Sequence, residues 1–173
     1  VNGELRGIAP TGGSINSVGI TSSEYGTAAT TFTISFELHL TGGSSGTWYF
    51  FAGSGAGFAS AQSANFNGAQ VFTGIRWAFA ASNAITTNNR NGANWNTTGL
   101  TGTPFAQNTS YFVAVIGNNS SSTVNYGASN AYSIAPYKQD LWVNGALVGD
   151  DLSKAELPNS TSIDAFRFYG ESS

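Results

Sequence analysis

The stretch Asn88-Asn-Arg-Asn-Gly-Ala-Asn-Trp-Asn96 sets one indole among planar amides and a guanidinium. Those groups suit a sugar. An aromatic plane takes the C–H face of a pyranose, amides and guanidiniums take its hydroxyls, and such a site needs no net charge. Trp95 is then the platform, and Arg90, Asn91, Asn94 and Asn96 are the carbohydrate-binding donors and acceptors. A Trp folded back as a lid over the core fits the same pattern, and the residues leave the two readings level. Tyr25, Tyr126 and Tyr137, in loop-like sequence, are secondary aromatic candidates. Trp48, Trp77 and Trp142 sit in apolar runs and are expected in the core.

Catalytic groupings are thin. Glycoside hydrolysis needs two carboxylates about 5 to 9.5 Å apart, and Glu37, on the polar face of a long alternating run beside Ser35 and His39, has no second Glu at period two. Gly42-Gly-Ser-Ser-Gly46 matches the G-x-S-x-G elbow of acyl-transfer enzymes, but the elbow must lead into a helix and Thr47–Phe51 reads as a strand. His39, the only histidine, can make neither a triad nor a metal site alone. Zero Cys removes thiol catalysis, disulfides and thiolate metal sites together. No catalytic residue, metal ligand or cofactor is assigned; a structural calcium ion at Asp140, Asp150 and Asp151 is the minor alternative, because oxygen ligands are all this chain offers.

Composition narrows the partners. Only 9% of the 173 residues are charged, against about 25% in ordinary globular domains. Ser, Thr, Asn and Gly must therefore supply the wetted surface. Six basic against nine acidic residues give a net charge of −3, so the basic stripe expected for nucleic acid or an anionic membrane is missing. No run of about 20 apolar residues could span a bilayer. The chain starts at Val1 and contains no Met; it reads as a secreted, extracellular piece whose signal peptide has been removed.

The elements that must position these groups are short alternating runs bounded by Gly, Ser and Asn, the signature of a β-sandwich or barrel. In Thr31–Leu40, Phe32, Ile34, Phe36, Leu38 and Leu40 share one face. Thr47–Phe51 is apolar on both faces. Further strands are expected at Ser14–Thr21, Val71–Ala80, Tyr111–Ile116, Ala131–Ala135 and Thr161–Tyr169. Asn144-Gly145 joins Asp140–Val143 to Ala146–Gly149 as a type I′ hairpin, since both turn residues tolerate positive φ. A two-residue loop sets Val143 against Ala146, Trp142 against Leu147 and Leu141 against Val148. Gly53–Gln70 and Ser82–Asn108 read as long polar loops. The expectation is a single domain over residues 1–173, all-β, a two-sheet antiparallel β-sandwich. Its core is Phe32, Ile34, Phe36, Leu38, Phe50, Ile75, Trp77, Phe79, Val113, Val115, Leu141, Val143, Phe166 and Phe168.

The succession Phe32-x-Ile-x-Phe-x-Leu-x-Leu40, Asp140-Leu-Trp-Val-Asn-Gly145, Asp150-Asp-Leu152 and Ser162-Ile-Asp-Ala-Phe-Arg-Phe168 resembles the laminin-G-like, concanavalin A-like jelly rolls of secreted surface proteins of Bacteroidetes-type bacteria. The resemblance implies a jelly roll, and a closing strand after the segment matching Ile163–Tyr169 for which this chain has no sequence left. Function is then expected to be non-catalytic: glycan binding or surface adhesion, with polysaccharide or surface glycan as partner. The alternatives are a subunit that assembles with copies of itself by strand addition at an open sheet edge, and a glycoside hydrolase.

Overall fold

The structure is a computed structural model that describes residues 17–23, 28–41, 43–55, 68–81, 84–97, 100–102 and 104–171. Alternation builds it. In β2 (Thr31–His39), Phe32, Ile34, Phe36 and Leu38 turn inward, while Thr33, Ser35, Glu37 and His39 are exposed. The strand before it is β1 (Ser17–Ser23), and those next after it are β3 (Thr47–Gly53), β4 (Val71–Phe79), β5 (Ile85–Asn91), β6 (Asn94–Asn96) and β7 (Ser110–Asn118). After them come β8 (Val124–Tyr126), β9 (Tyr132–Ile134), β10 (Lys138–Val143), β11 (Ala146–Ser153) and β12 (Ala165–Glu171). No helix among the described residues is long and apolar enough to cross a membrane.

The strands form two antiparallel sheets, in the orders β1-β12-β3-β4-β5-β6 and β11-β10-β7-β2, with β8-β9 as a separate hairpin. Between the sheets lies one apolar core, with Phe50, Phe72, Trp77 and Val113 fully buried. Apart from Trp142, every side chain expected in the core lies in or against this cluster. Phe36 links the sheets: its ring centre is 5.0 Å from that of Phe50 and 4.8 Å from that of Phe168. The fold is the expected two-sheet antiparallel β-sandwich, and aromatic burial across the interface is its main stabilising term.

Four expectations need correction. Ser82–Asn108 is not a loop throughout, because β5 and β6 form a hairpin on the edge of the larger sheet. The sequence pattern hid it, since after Ile85 the inward side of β5 carries Thr87 and Asn89 rather than further aliphatic residues. No place is left for a closing strand beside β12, which pairs with β1 on one side and β3 on the other. The Asn144-Gly145 turn has positive φ at both residues (50° and 80°), and Val143↔Ala146 and Trp142↔Leu147 hold, but Leu141 pairs with Gly149. A bulge takes up Val148. A Cβ at Gly149 would stand 2.5 Å from Leu152 Cδ1, so this site must be bare for Leu152 to pack. Finally, Trp142 is not in the core. It lies on the outer face of the smaller sheet, covered by Tyr126 and Tyr132 of the β8-β9 hairpin. Tyr25, Gly42 and the middle of the Gly53–Gln70 segment lie outside the described residues.

Candidate functional site

The larger sheet has a second face, turned away from the core, and the register arranges its side chains in rows. In one row Arg167 pairs with Phe51, and Phe51 with Gly74. Arg90 and Trp95 continue it. In the next, Tyr169 pairs with Tyr49, Tyr49 with Arg76, and Arg76 with Asn88. Tyr49, Phe51 and Tyr169 are buried and form the floor, together with Val71, Ala155 and Ala165. Arg76, Arg90, Trp95 and Glu171 are half-buried above it.

Gly74 makes the arrangement fit. A Cβ there would stand 2.4 Å from Arg90 Cγ and 3.3 Å from Phe51 Cδ1, so its absence lets the Arg90 stem lie flat and the indole lean in from the edge strand. The Trp95 ring centre reaches 5.5 Å from that of Tyr49 and 6.1 Å from that of Phe51. The guanidinium carbons of Arg76 and Arg90 stand 5.0 and 4.6 Å from the indole centre, within cation–π range. Arg76 donates from Nε and Nη2 to Asn88 Oδ1 at 3.0 and 2.7 Å, and Arg90 donates from Nη1 to the Ala93 carbonyl. Arg167 lies 5.0 Å from the Tyr169 ring centre.

Charge shapes this face. Burial lowers the Arg90 pKa, the carboxylate of Glu156 opposes that shift, and Arg76 adds to it by repulsion. Burial also lowers Arg167. Tyr49 donates its hydroxyl to Glu171 Oε1, and burial, with that hydrogen bond and the Glu171 charge behind it, pushes the phenol well above its ordinary range. All arginines among the described residues stand on this one face, in a chain of net charge −3.

Of the residues expected to bind sugar, Arg90 and Trp95 come together here. Alternation places Asn91, Asn94 and Asn96 on the other side of the β5-β6 hairpin from the indole. Trp95 combines both readings of its sequence: it folds back over an apolar cluster and stays only half-buried. Tyr49, Arg76, Asn88, Arg167 and Tyr169 were missed. Their signal was present, because Tyr49 alternates with Phe50, Arg76 with Ile75 and Trp77, and Arg167 with Phe166 and Phe168; a strand apolar on one face and bearing Tyr or Arg on the other has two burial environments.

The other candidates lie on the smaller sheet. Glu37 is exposed opposite Phe112, which is 53% exposed. His39 Nδ1 is 2.8 Å from Ser110 Oγ on the adjacent strand, so the histidine is held by Ser110 and not by the Gly43–Gly46 turn. Asp140, Asp150 and Asp151 bring one oxygen each within 4.8 Å of one another. Protein donors already engage two of the three: Tyr126 donates its hydroxyl to Asp140 Oδ2 at 2.6 Å, the Asp151 N–H donates to Asp140 Oδ1 at 2.8 Å, and the Ala135 N–H donates to Asp151 Oδ1 at 2.8 Å. A shallow cleft of about 240 Å³ lies alongside, lined by Thr31, Thr33, Ile116 and Tyr126 among others. Tyr137 is half-buried at positive φ in the turn before β10.

No protein-family model matches the chain, and no curated protein sequence matches it. Among solved structures it is similar to galectin LEC-6 of Caenorhabditis elegans, at 13% identity over 94% of this chain and 99% of that one, with a TM-score of 0.46. It is also similar to alginate lyase Aly36B, at 12% identity over 91% of this chain and 79% of that one, with a TM-score of 0.46.

Proposed function

We propose that the protein is a non-catalytic extracellular module that binds polysaccharide or surface glycan on the outer face of its larger sheet. One observation carries this reading: a part-exposed indole fixed between two guanidiniums on a bed of tyrosine and phenylalanine. The ring offers an apolar plane to sugar C–H groups, the arginines offer N–H donors to hydroxyls, Asn88 fixes the Arg76 plane, and every group is held before the ligand arrives. A surface poor in charge and rich in Ser, Thr and Asn agrees with an extracellular habitat, as does the resemblance to secreted surface domains.

Affinity electrophoresis through gels containing plant, algal and bacterial polysaccharides tests the reading. The native protein is expected to be retarded by at least one polymer, and Trp95→Ala to lose about tenfold in affinity, the worth of roughly 1.4 kcal/mol. Equal mobility of the two proteins in every gel would remove this face from the role. A second reading, assembly with copies of itself, is favoured by β2. This nine-residue strand ends the order of the smaller sheet and carries one acidic residue, Glu37. Sedimentation at increasing protein concentration separates the two, since a strand-adding subunit associates without any glycan.

A further inference from the structure

Arg76 and Arg90 come from adjacent strands and lean on the same indole. Holding two like charges together opposes folding unless something offsets it, and among the described residues the carboxylates at hand do so only in part. Glu171 is tied to the Tyr49 hydroxyl, and Glu156, which acts on Arg90, is exposed to water. Arg167, buried beneath, adds a third positive charge to the same face. Asn88 takes the Nε–Nη2 edge of Arg76, and Ala93 takes Nη1 of Arg90, so both planes are oriented from the protein side. A neutral sugar would be served as well by amides, which this chain has in abundance. Paired guanidiniums match something else, because their planar forks pair in bidentate fashion with carboxylates and with sulfate or phosphate oxygens.

We infer that Arg76 and Arg90 form a subsite for an anionic substituent on a sugar ring, a carboxylate or a sulfate ester, so that the glycan taken by this face is an acidic one. The inference rests on the glycan-binding reading and sharpens it. A bridging anion would relieve the repulsion between the two arginines while the sugar ring lies against Trp95.

The test measures binding of the full chain to polygalacturonate, to the same polymer after reduction of its carboxyl groups, to a sulfated galactan and to a neutral glucan, at low and high salt. Arg76→Gln is compared with Lys138→Gln, which removes a cation on the other sheet, where Lys138 Nζ lies 3.5 Å from Ser153 Oγ. The expected result is tight binding to an acidic polymer, at least about tenfold weaker binding to the carboxyl-reduced or neutral one, a similar loss in Arg76→Gln, none in Lys138→Gln, and weakening by salt. Binding to the sulfated galactan without polygalacturonate assigns the anion as sulfate and supports the subsite. Equal affinity for polygalacturonate and its reduced form overturns the acidic preference and leaves glycan binding standing. Failure to bind any polymer overturns both readings. Should Arg76→Gln not fold, the polymer comparison on the unmodified protein still decides.

Discussion

Asp140 shows how one side chain carries both structure and pH dependence. Its carboxyl is buried, and desolvation raises its pKa; the hydrogen bonds from Tyr126 and from the Asp151 N–H pull the other way, and the charges of Asp150 and Asp151 add to the rise. A carboxyl whose native pKa lies above its unfolded value holds more protons in the native state across the interval between the two, so the free energy of unfolding falls as pH rises through that interval. The lower limit of that interval is the ordinary Asp value of about 3.9. Denaturant midpoints measured upward from about pH 4 are therefore expected to show a decline that Asp140→Asn lacks. The amide keeps the shape, and the Tyr126 hydroxyl, already the acceptor for Trp142 Nε1 at 3.0 Å, can accept from it too. Parallel profiles for the two proteins would assign the decline to other carboxyls.

At the scale of the element, the β5-β6 hairpin decides where the candidate site stands. Gly74 lets Arg90 and Trp95 lie across the sheet, and a methyl group at that position must push the Arg90 stem aside. Gly74→Ala is expected to cost about 1–3 kcal/mol by overpacking and to weaken glycan retention as Trp95→Ala does; retention unchanged in the face of that loss would show that the indole can bind without the seat Gly74 provides. The hairpin also marks where sequence reading stopped. β2 was legible because its inner residues are all apolar, and Asn144-Gly145 because positive φ at two adjacent positions suits few other pairs. β5 was not, because Thr87 and Asn89 are buried and the strand is held by backbone pairing to β4 rather than by an apolar stripe. The bulges in β11 escaped for a different reason: register beyond the first pairs is set by which residues can meet, here Leu152 with the bare Gly149, and spacing from a turn does not reveal that. Trp95 and Arg90 were found as a local cluster, whereas Arg76, Tyr49 and Tyr169 join them only through the register of five strands.

For the whole molecule the question is what holds two sheets together in a chain without cysteine. The inner faces supply the answer, and Phe36 is where they meet most directly, its ring on the smaller sheet against Phe50 and Phe168 of the larger one. Removing that ring leaves a cavity bordered by both sheets, so neither can relax alone to fill it. Phe36→Ala is expected to lower stability by about 3 kcal/mol, the low end for Phe truncation because the side chain is only half-buried. A sandwich folding as one domain should also lose strand content and tertiary order together. Far-ultraviolet circular dichroism reports the sheets, and tryptophan fluorescence reports the surroundings of the four indoles, from Trp77 in the core to Trp95 on the outer face; under denaturant both signals should share one midpoint, shifted equally by the substitution. Midpoints that separate in the native protein would divide the chain into independently melting parts. A shared midpoint that Phe36→Ala leaves in place would instead move the main stabilising contact away from this interface, and the outer aromatic bed around Tyr49 and Tyr169 would be the next to truncate.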